Sequence, residues 1–239
     1  MVSIEDVKKA REVLAGKVIR TPLVQLPPSS GFGHREVYAK LESLQITHSF
    51  KVRGAYNKIA SLLAQGGLGD SSRSRDGFGR DRGVVAFSSG NHAAGVAYAA
   101  SAQGVKATII MPRFSIKAKV EATKFYGGEV IIHGDNSLET ASKAAALERE
   151  QGYILVHPFN DPYVIAGQRT IGLEILEDLP DVGAILVPVS GGGLISGVAV
   201  SIKESAPTVR VIGVHPTGSA AMYESLKRDT LYELERVET

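Results

Sequence analysis

The sequence predicts an α/β protein whose sheets are mainly parallel. Three observations predict it. Seven short apolar segments, rich in β-branched residues, recur at 37–41, 83–87, 107–111, 129–133, 153–156, 184–189 and 209–214. Helical patterns separate them, as right-handed crossovers between parallel strands require. Two of the segments, 83–87 and 184–189, run straight into glycine-bearing turns, and open α/β sheets present their ligands at the carboxyl ends of strands.

Each element has its own justification. Ser3 and Asp6 form a capping pair around Ile4, with Val7 and Leu14 following, so the N-terminus reads as an amphipathic helix rather than a signal peptide. The strand at 37–41 leads into His48-Ser49-Phe50-Lys51-Val52-Arg53-Gly54-Ala55, and Ala55, Ile59, Leu62 and Leu63 then carry helical apolar spacing. Residues 66–82 are rich in glycine and arginine and poor in apolar side chains, and read as a mobile, solvated loop. Interspersed aspartates cut the charge that would suit nucleic acid. After 83–87 comes Ser88-Ser89-Gly90-Asn91-His92-Ala93-Ala94-Gly95, opening an alanine-rich helix to about Gln103. Ser115 is placed to cap a helix ending near Tyr126, and Asn136 or Ser137 one ending at Gly152. The segment 184–189 is of the kind buried in a parallel sheet. It runs into Ser190-Gly191-Gly192-Gly193-Leu194-Ile195-Ser196-Gly197, and Leu194, Val198, Val200 and Ile202 give the next helical pattern.

Three constellations point to chemistry. Lys51 stands at a strand-to-helix junction, from which it can enter a cleft, and a lysine of lowered pKa suits Schiff-base formation with an aldehyde cofactor. The bland alternative is a solvated surface lysine. Residues 190–194 crowd backbone N–H groups at a helix start, which suits a phosphate, with glycine required because side chains would block the approach. A plain tight turn is the alternative, and the run matches neither the phosphate loop with its terminal lysine nor the dinucleotide fingerprint. Residues 88–92 add two hydroxyls and an amide to the N–H groups of another helix start, which suits a carboxylate, and Asn91 can donate to a phenolic oxygen. An ordinary N-cap would use the same residue types.

Composition bounds the rest. At 44% hydrophobic the chain can bury one large core or two small ones. A net charge of +2, from 27 basic and 25 acidic residues, gives no reason to expect nucleic acid. No apolar run approaches membrane length. The absence of cysteine excludes disulfides and zinc-thiolate sites and favours a cytoplasmic location.

In their order and spacing, the lysine, asparagine and glycine motifs resemble those of the pyridoxal-phosphate enzymes of the tryptophan synthase β-subunit fold (fold type II), in the serine/threonine dehydratase and serine racemase family. Arg20-Thr21-Pro22-Leu23, Leu41-Glu42-Ser43-Leu44-Gln45, Val156-His157-Pro158-Phe159 and Ile165-Ala166-Gly167-Gln168 extend the resemblance over nearly the whole chain. It implies two three-layer αβα domains: a small substrate-binding domain at 83–158, inserted into a large cofactor-binding domain made of 1–82 and 159–239, with pyridoxal 5'-phosphate in the cleft between them. It implies that Lys51 holds the cofactor and takes the substrate α-proton. Phe50, Asn91, Ser190, Gly191, Gly192, Gly193 and Leu194 would bind the cofactor, Asn91 at the ring hydroxyl. Ser88, Gly90, Asn91 and His92 would hold the substrate carboxylate, His92 through its backbone. Ser89 would face the opposite side of the α-carbon, where it can protonate. The implied reaction is β-elimination (deamination) of L-threonine or L-serine to a 2-oxo acid and ammonia, by a cytoplasmic homo-oligomer, a dimer. A racemase, a related lyase and a catalytically dead fold that only binds cofactor or a partner are the alternatives, because one core supports several chemistries.

Four positions depart from the family pattern. His48 stands where relatives usually have glycine and is expected to crowd or hydrogen-bond near the cofactor. Ser190 replaces the first glycine of a four-glycine loop, and its hydroxyl can donate to phosphate. His215 and Ala221 stand where metal-dependent relatives carry carboxylates, so no metal site is expected. Relatives also continue beyond Thr239, with the closing strands of the large domain and the serine or threonine that meets the pyridine nitrogen. An uncovered sheet edge, association and low turnover are therefore expected of these 239 residues alone.

Overall fold

The computed structural model describes residues 2–28, 33, 35–68 and 83–232. Most of the glycine- and arginine-rich stretch, from 69 to 82, lies outside the described residues, as do Glu238 and Thr239. The order of elements is α1 (Ile4–Leu14), β1 (Leu23–Gln25), β2 (Tyr38–Lys40), α2 (Lys51–Ala64), β3 (Val84–Phe87), α3 (Asn91–Ser101), β4 (Ala107–Met111), α4 (Lys117–Phe125), β5 (Glu129–Ile132), α5 (Ser137–Gln151), β6 (Ile154–Leu155), α6 (Pro162–Asp178), β7 (Ala184–Pro188), α7 (Gly193–Ser205), β8 (Arg210–Val214) and α8 (Ala221–Arg228).

One parallel sheet has the order β5-β4-β3-β6, with Val84 opposite both Ala107 and Ile154, and Ile109 opposite Val130. Its central strands are apolar at every position but Thr108 because both faces are covered. Val84, Ala86, Ile109 and Met111 pack with Val96, Ala99 and Ala100 of α3, whereas the alternate residues Val85 and Ile110 pack with Ala144 and Leu147 of α5. The result is an αβα sandwich. A second parallel pair, β7 and β8, is backed by Ile171 and Ile175 of α6 and by Val198 and Ile202 of α7.

Two elements differ from the sequence expectation. The segment at 37–41 does not join a parallel sheet; as β2 it pairs antiparallel with the unpredicted β1, Val24 opposite Ala39. Helix α6 has no helical motif of its own in the sequence beyond the strand–helix alternation, because it buries Gln168, Arg169 and Thr170 beside Val164, Ala166 and Ile171, which blurs its amphipathic pattern.

Helix ends follow local chemistry. The Ser3–Asp6 box is formed, with the Ser3 N–H donating to Asp6 Oδ2 at 2.8 Å. Asn136 Oδ1 accepts from the Glu139 N–H at 2.9 Å, and Gly152 closes α5 at φ +70°. Ser115 does not cap α4. Its own N–H is turned back to Pro112 O, the helix begins only at Lys117 after Ile116, and the buried Ser115 hydroxyl has no hydrogen-bond partner among the described residues.

Candidate active site

Lys51 opens α2, and what fixes it lies on the opposite side of the helix. Arg53, 1% exposed, sets its guanidinium between Glu42 (2.8 Å) and Glu174 (2.6 Å), and Lys40 reaches the same Glu174 at 2.7 Å. A buried arginine is tolerable only when so paired, and the pairing pins the first turn of α2 to α6. On the near side, Gly95 lets α3 rest on the Lys51 backbone, since a Cβ there would sit 3.1 Å from the Val52 nitrogen. The Lys51 ammonium donates to Pro158 O at 2.8 Å and lies 5.2 Å from the Phe50 ring centroid. Burial lowers its pKa to about 8.

The segment that accepts from Lys51 is gripped a second time. His92, 3% exposed, meets Val156 O through Nε2 at 2.8 Å, which places the proton on Nε2 and leaves Nδ1 a bare acceptor with no partner among the described residues. Burial above all, and then the nearby Lys51 charge, lower the His92 pKa to about 3, so the ring stays neutral. His157 is also lowered, mainly by burial, and its Nδ1 accepts from Asn160 N–H at 2.9 Å. Its ring stands edge-on to Phe87 (5.8 Å) and Phe159 (4.7 Å).

Phe159 in turn shapes the glycine loop. A Cβ on Gly191 would overlap the Phe159 ring, and one on Gly193 would sit 2.8 Å from Phe159 Cβ. Gly192 adopts φ +83° as the N-cap of α7, and a side chain there would meet Met222. The three glycines are thus required by the floor and roof of the loop as well as by any ligand approaching it.

These parts line one cleft of about 760 Å³. Every residue to which the resemblance gives a catalytic, cofactor or substrate role is in it: Phe50, Lys51, Ser88, Ser89, Gly90, Asn91, His92, Ser190, Gly191, Gly192, Gly193 and Leu194. His48 is not among the lining residues and is exposed, so it does not crowd the cleft; its departure from glycine is instead felt in the backbone, at φ +58°. The sequence analysis missed Phe87, Pro112, Ser137, Thr140 and Pro188 as lining, and these carry no motif of their own. Four helices begin at the cleft: α2 at Lys51, α3 at Asn91, α5 at Ser137 and α7 at Gly193. Their N-termini give a positive potential without a cluster of basic side chains, which favours an anionic ligand.

The residues fit a phosphorylated aldehyde. The loop at 190–194 offers a cradle that side chains would fill, Lys51 offers an amine whose charged form burial disfavours, and the volume matches a cofactor with a small substrate. The comparisons agree with the chemistry. The chain belongs to the family described as pyridoxal-phosphate dependent enzyme, whose model matches residues 14–239. It is 48% identical over 238 residues to the L-threonine ammonia-lyase of Thermotoga maritima, covering 100% of this chain and 55% of that protein. It is 44% identical over 230 residues to the catabolic L-threonine dehydratase TdcB of Escherichia coli, covering 94% and 65%. The chain therefore spans between half and two thirds of the length of these relatives. Among solved structures, maize serine racemase superposes with a TM-score of 0.88 at 34% identity, covering 99% of this chain and 68% of that one. A threonine deaminase from T.th. superposes with a TM-score of 0.85 at 39% identity, covering 98% and 71%. The fold is that of the tryptophan synthase β-like, fold type II enzymes.

Proposed function

We propose that the chain carries the active site of a pyridoxal-phosphate-dependent ammonia-lyase that converts L-threonine or L-serine to a 2-oxo acid and ammonia. The observation that carries this reading is the meeting of Lys51, the start of α3 and the loop at 190–194 in one cleft. The names of the relatives, threonine ammonia-lyase and threonine dehydratase, favour β-elimination over the racemase reading. When bound, pyridoxal phosphate supplies an electron sink that acidifies the α-proton of an amino acid.

The residues divide the remaining work. N–H groups of residues 190–194 and the Ser190 hydroxyl would hold the phosphate, Phe50 would bind the cofactor beside Lys51, and Asn91 would donate to the ring hydroxyl. Ser88, Gly90 and His92, together with Asn91, hold the substrate carboxylate at the start of α3. Lys51 would hold the cofactor and, as a free amine, would take the substrate α-proton; a pKa of about 8 leaves a usable fraction of its amine uncharged near neutral pH. Overall the β-hydroxyl would be lost as water and water would return as the nitrogen departs as ammonia, so the net change is one amino acid to one 2-oxo acid plus ammonia. Ser89 faces the other side of the α-carbon. In this reading residues 83–158 are the substrate-binding unit and 1–82 with 159–239 the cofactor-binding one, in a cytoplasmic dimer that needs no divalent metal.

The test is to load the 239-residue chain with pyridoxal phosphate, reduce it with borohydride and map the labelled peptide. Label on Lys51, with keto acid formed from L-threonine or L-serine in the unreduced protein, supports the reading. Label on Lys40 or Lys58, or D-serine as the sole product of L-serine, overturns it.

A further inference from the structure

The start of α3 is covered by a residue that no motif announces. Lys119, on α4, lies 28 positions from Asn91 in sequence, yet its stem passes over Gly90, with three side-chain carbons 3.9 to 4.0 Å from where a Cβ would stand, and its ammonium donates to Asn91 Oδ1 at 2.7 Å. Among the described residues no carboxylate lies within ion-pair distance of that ammonium. A half-exposed lysine thus commits its donor to an amide oxygen at the cleft instead of to a surface acid.

The consequence is directional. A lysine ammonium has donors only, so the oxygen of the Asn91 carboxamide must be the end that faces it, and the nitrogen must be the other end. We propose that Lys119 is a positioning residue: by holding Asn91 Oδ1 it turns Asn91 Nδ2 into the cleft, making Asn91 a donor toward the cofactor's phenolic oxygen. This inference rests on the cofactor reading of the cleft. Without Lys119 the carboxamide is free to present its oxygen, which would face the phenolic oxygen as a second acceptor and repel it. Asn91 binds weakly unless its orientation is set from outside, and Lys119 sets it.

The experiment compares cofactor affinity, by equilibrium dialysis, and the pH dependence of the bound cofactor's visible absorbance in wild type, Lys119→Met and Lys119→Arg. Methionine keeps the stem over Gly90 while removing the donor, and circular dichroism checks that each variant folds. Lys119→Met is expected to bind about five- to tenfold more weakly, the effect of one misdirected hydrogen bond, and to shift the absorbance titration. Lys119→Arg, which keeps a donor-only cation, should restore both. A folded Lys119→Met with wild-type affinity and an unchanged titration overturns the inference alone. Failure of the wild-type chain to take up cofactor overturns the reading of the cleft and the inference with it.

Discussion

At the residue scale, Lys51 shows how a reactive group weakens the fold that holds it. Burial lowers its pKa from 10.5 to about 8, so the unfolded chain binds a proton more readily across that window and stability rises with pH through it. Below about pH 8 the full cost is present. Replacing Lys51 by methionine is expected to stabilise the chain near neutral pH by roughly 1–3 kcal/mol, with the gain shrinking as pH approaches about 10.5. Urea titrations near neutral pH and near pH 10 check both the sign and the trend, and a variant less stable than wild type at neutral pH would refute the account. His48 gives a second case. Its left-handed φ of +58° is costly for a side chain, and because it lines nothing, His48→Gly should gain about 1 kcal/mol in the same assay without altering cofactor affinity.

At the element scale, the site is a meeting of helix starts, and the sequence disclosed only part of it. The starts of α2, α3 and α7 were legible as parts of a site because each carries a motif: a lysine at a strand-to-helix junction, a Ser-Ser-Gly-Asn run, and three glycines. The start of α5 was legible as a capped helix but not as part of the site, since Asn136, Ser137 and Thr140 look like any helix start; only the sheet brings Ser137 and Thr140 to the cleft. Nor could the sequence say why the loop needs three glycines. Phe159 occupies the space that side chains on Gly191 and Gly193 would fill, and Met222 the space of one on Gly192. This coupling is measurable. Gly191→Ala should abolish most cofactor binding in the wild-type background, whereas in a Phe159→Ala background the added methyl finds room and should cost little. The interaction energy from that double-mutant cycle is expected at about 1–3 kcal/mol, and independent, additive effects would show that the glycine serves the ligand alone.

At the scale of the whole molecule, strand and helix alternation predicted the parallel sheets, because a strand covered on both faces is apolar at nearly every position and stands out. The sandwich around β3 and β4 meets that condition. The β7–β8 pair does not. One face packs on α6 and α7, but the other leaves Leu186 at 62% and Val214 at 47% exposure, an unusual state for parallel strands, which are almost always buried on both sides. Leu226 and Tyr223 of α8, at 76% and 57%, add apolar surface. Surface of this kind drives association, since removing it from water returns about 25 cal/mol for each Å². The 239-residue chain is therefore expected to associate with itself, and sedimentation velocity should show species heavier than a monomer whose population grows with concentration. Leu186→Lys combined with Leu226→Lys should shift the distribution toward monomer, because each charge would have to leave water to be covered. Neither residue lines the cleft, so cofactor affinity should change far less than the association does. A wild-type chain that sediments as a monomer at every concentration and binds no apolar dye would mean that this face is covered within the chain itself.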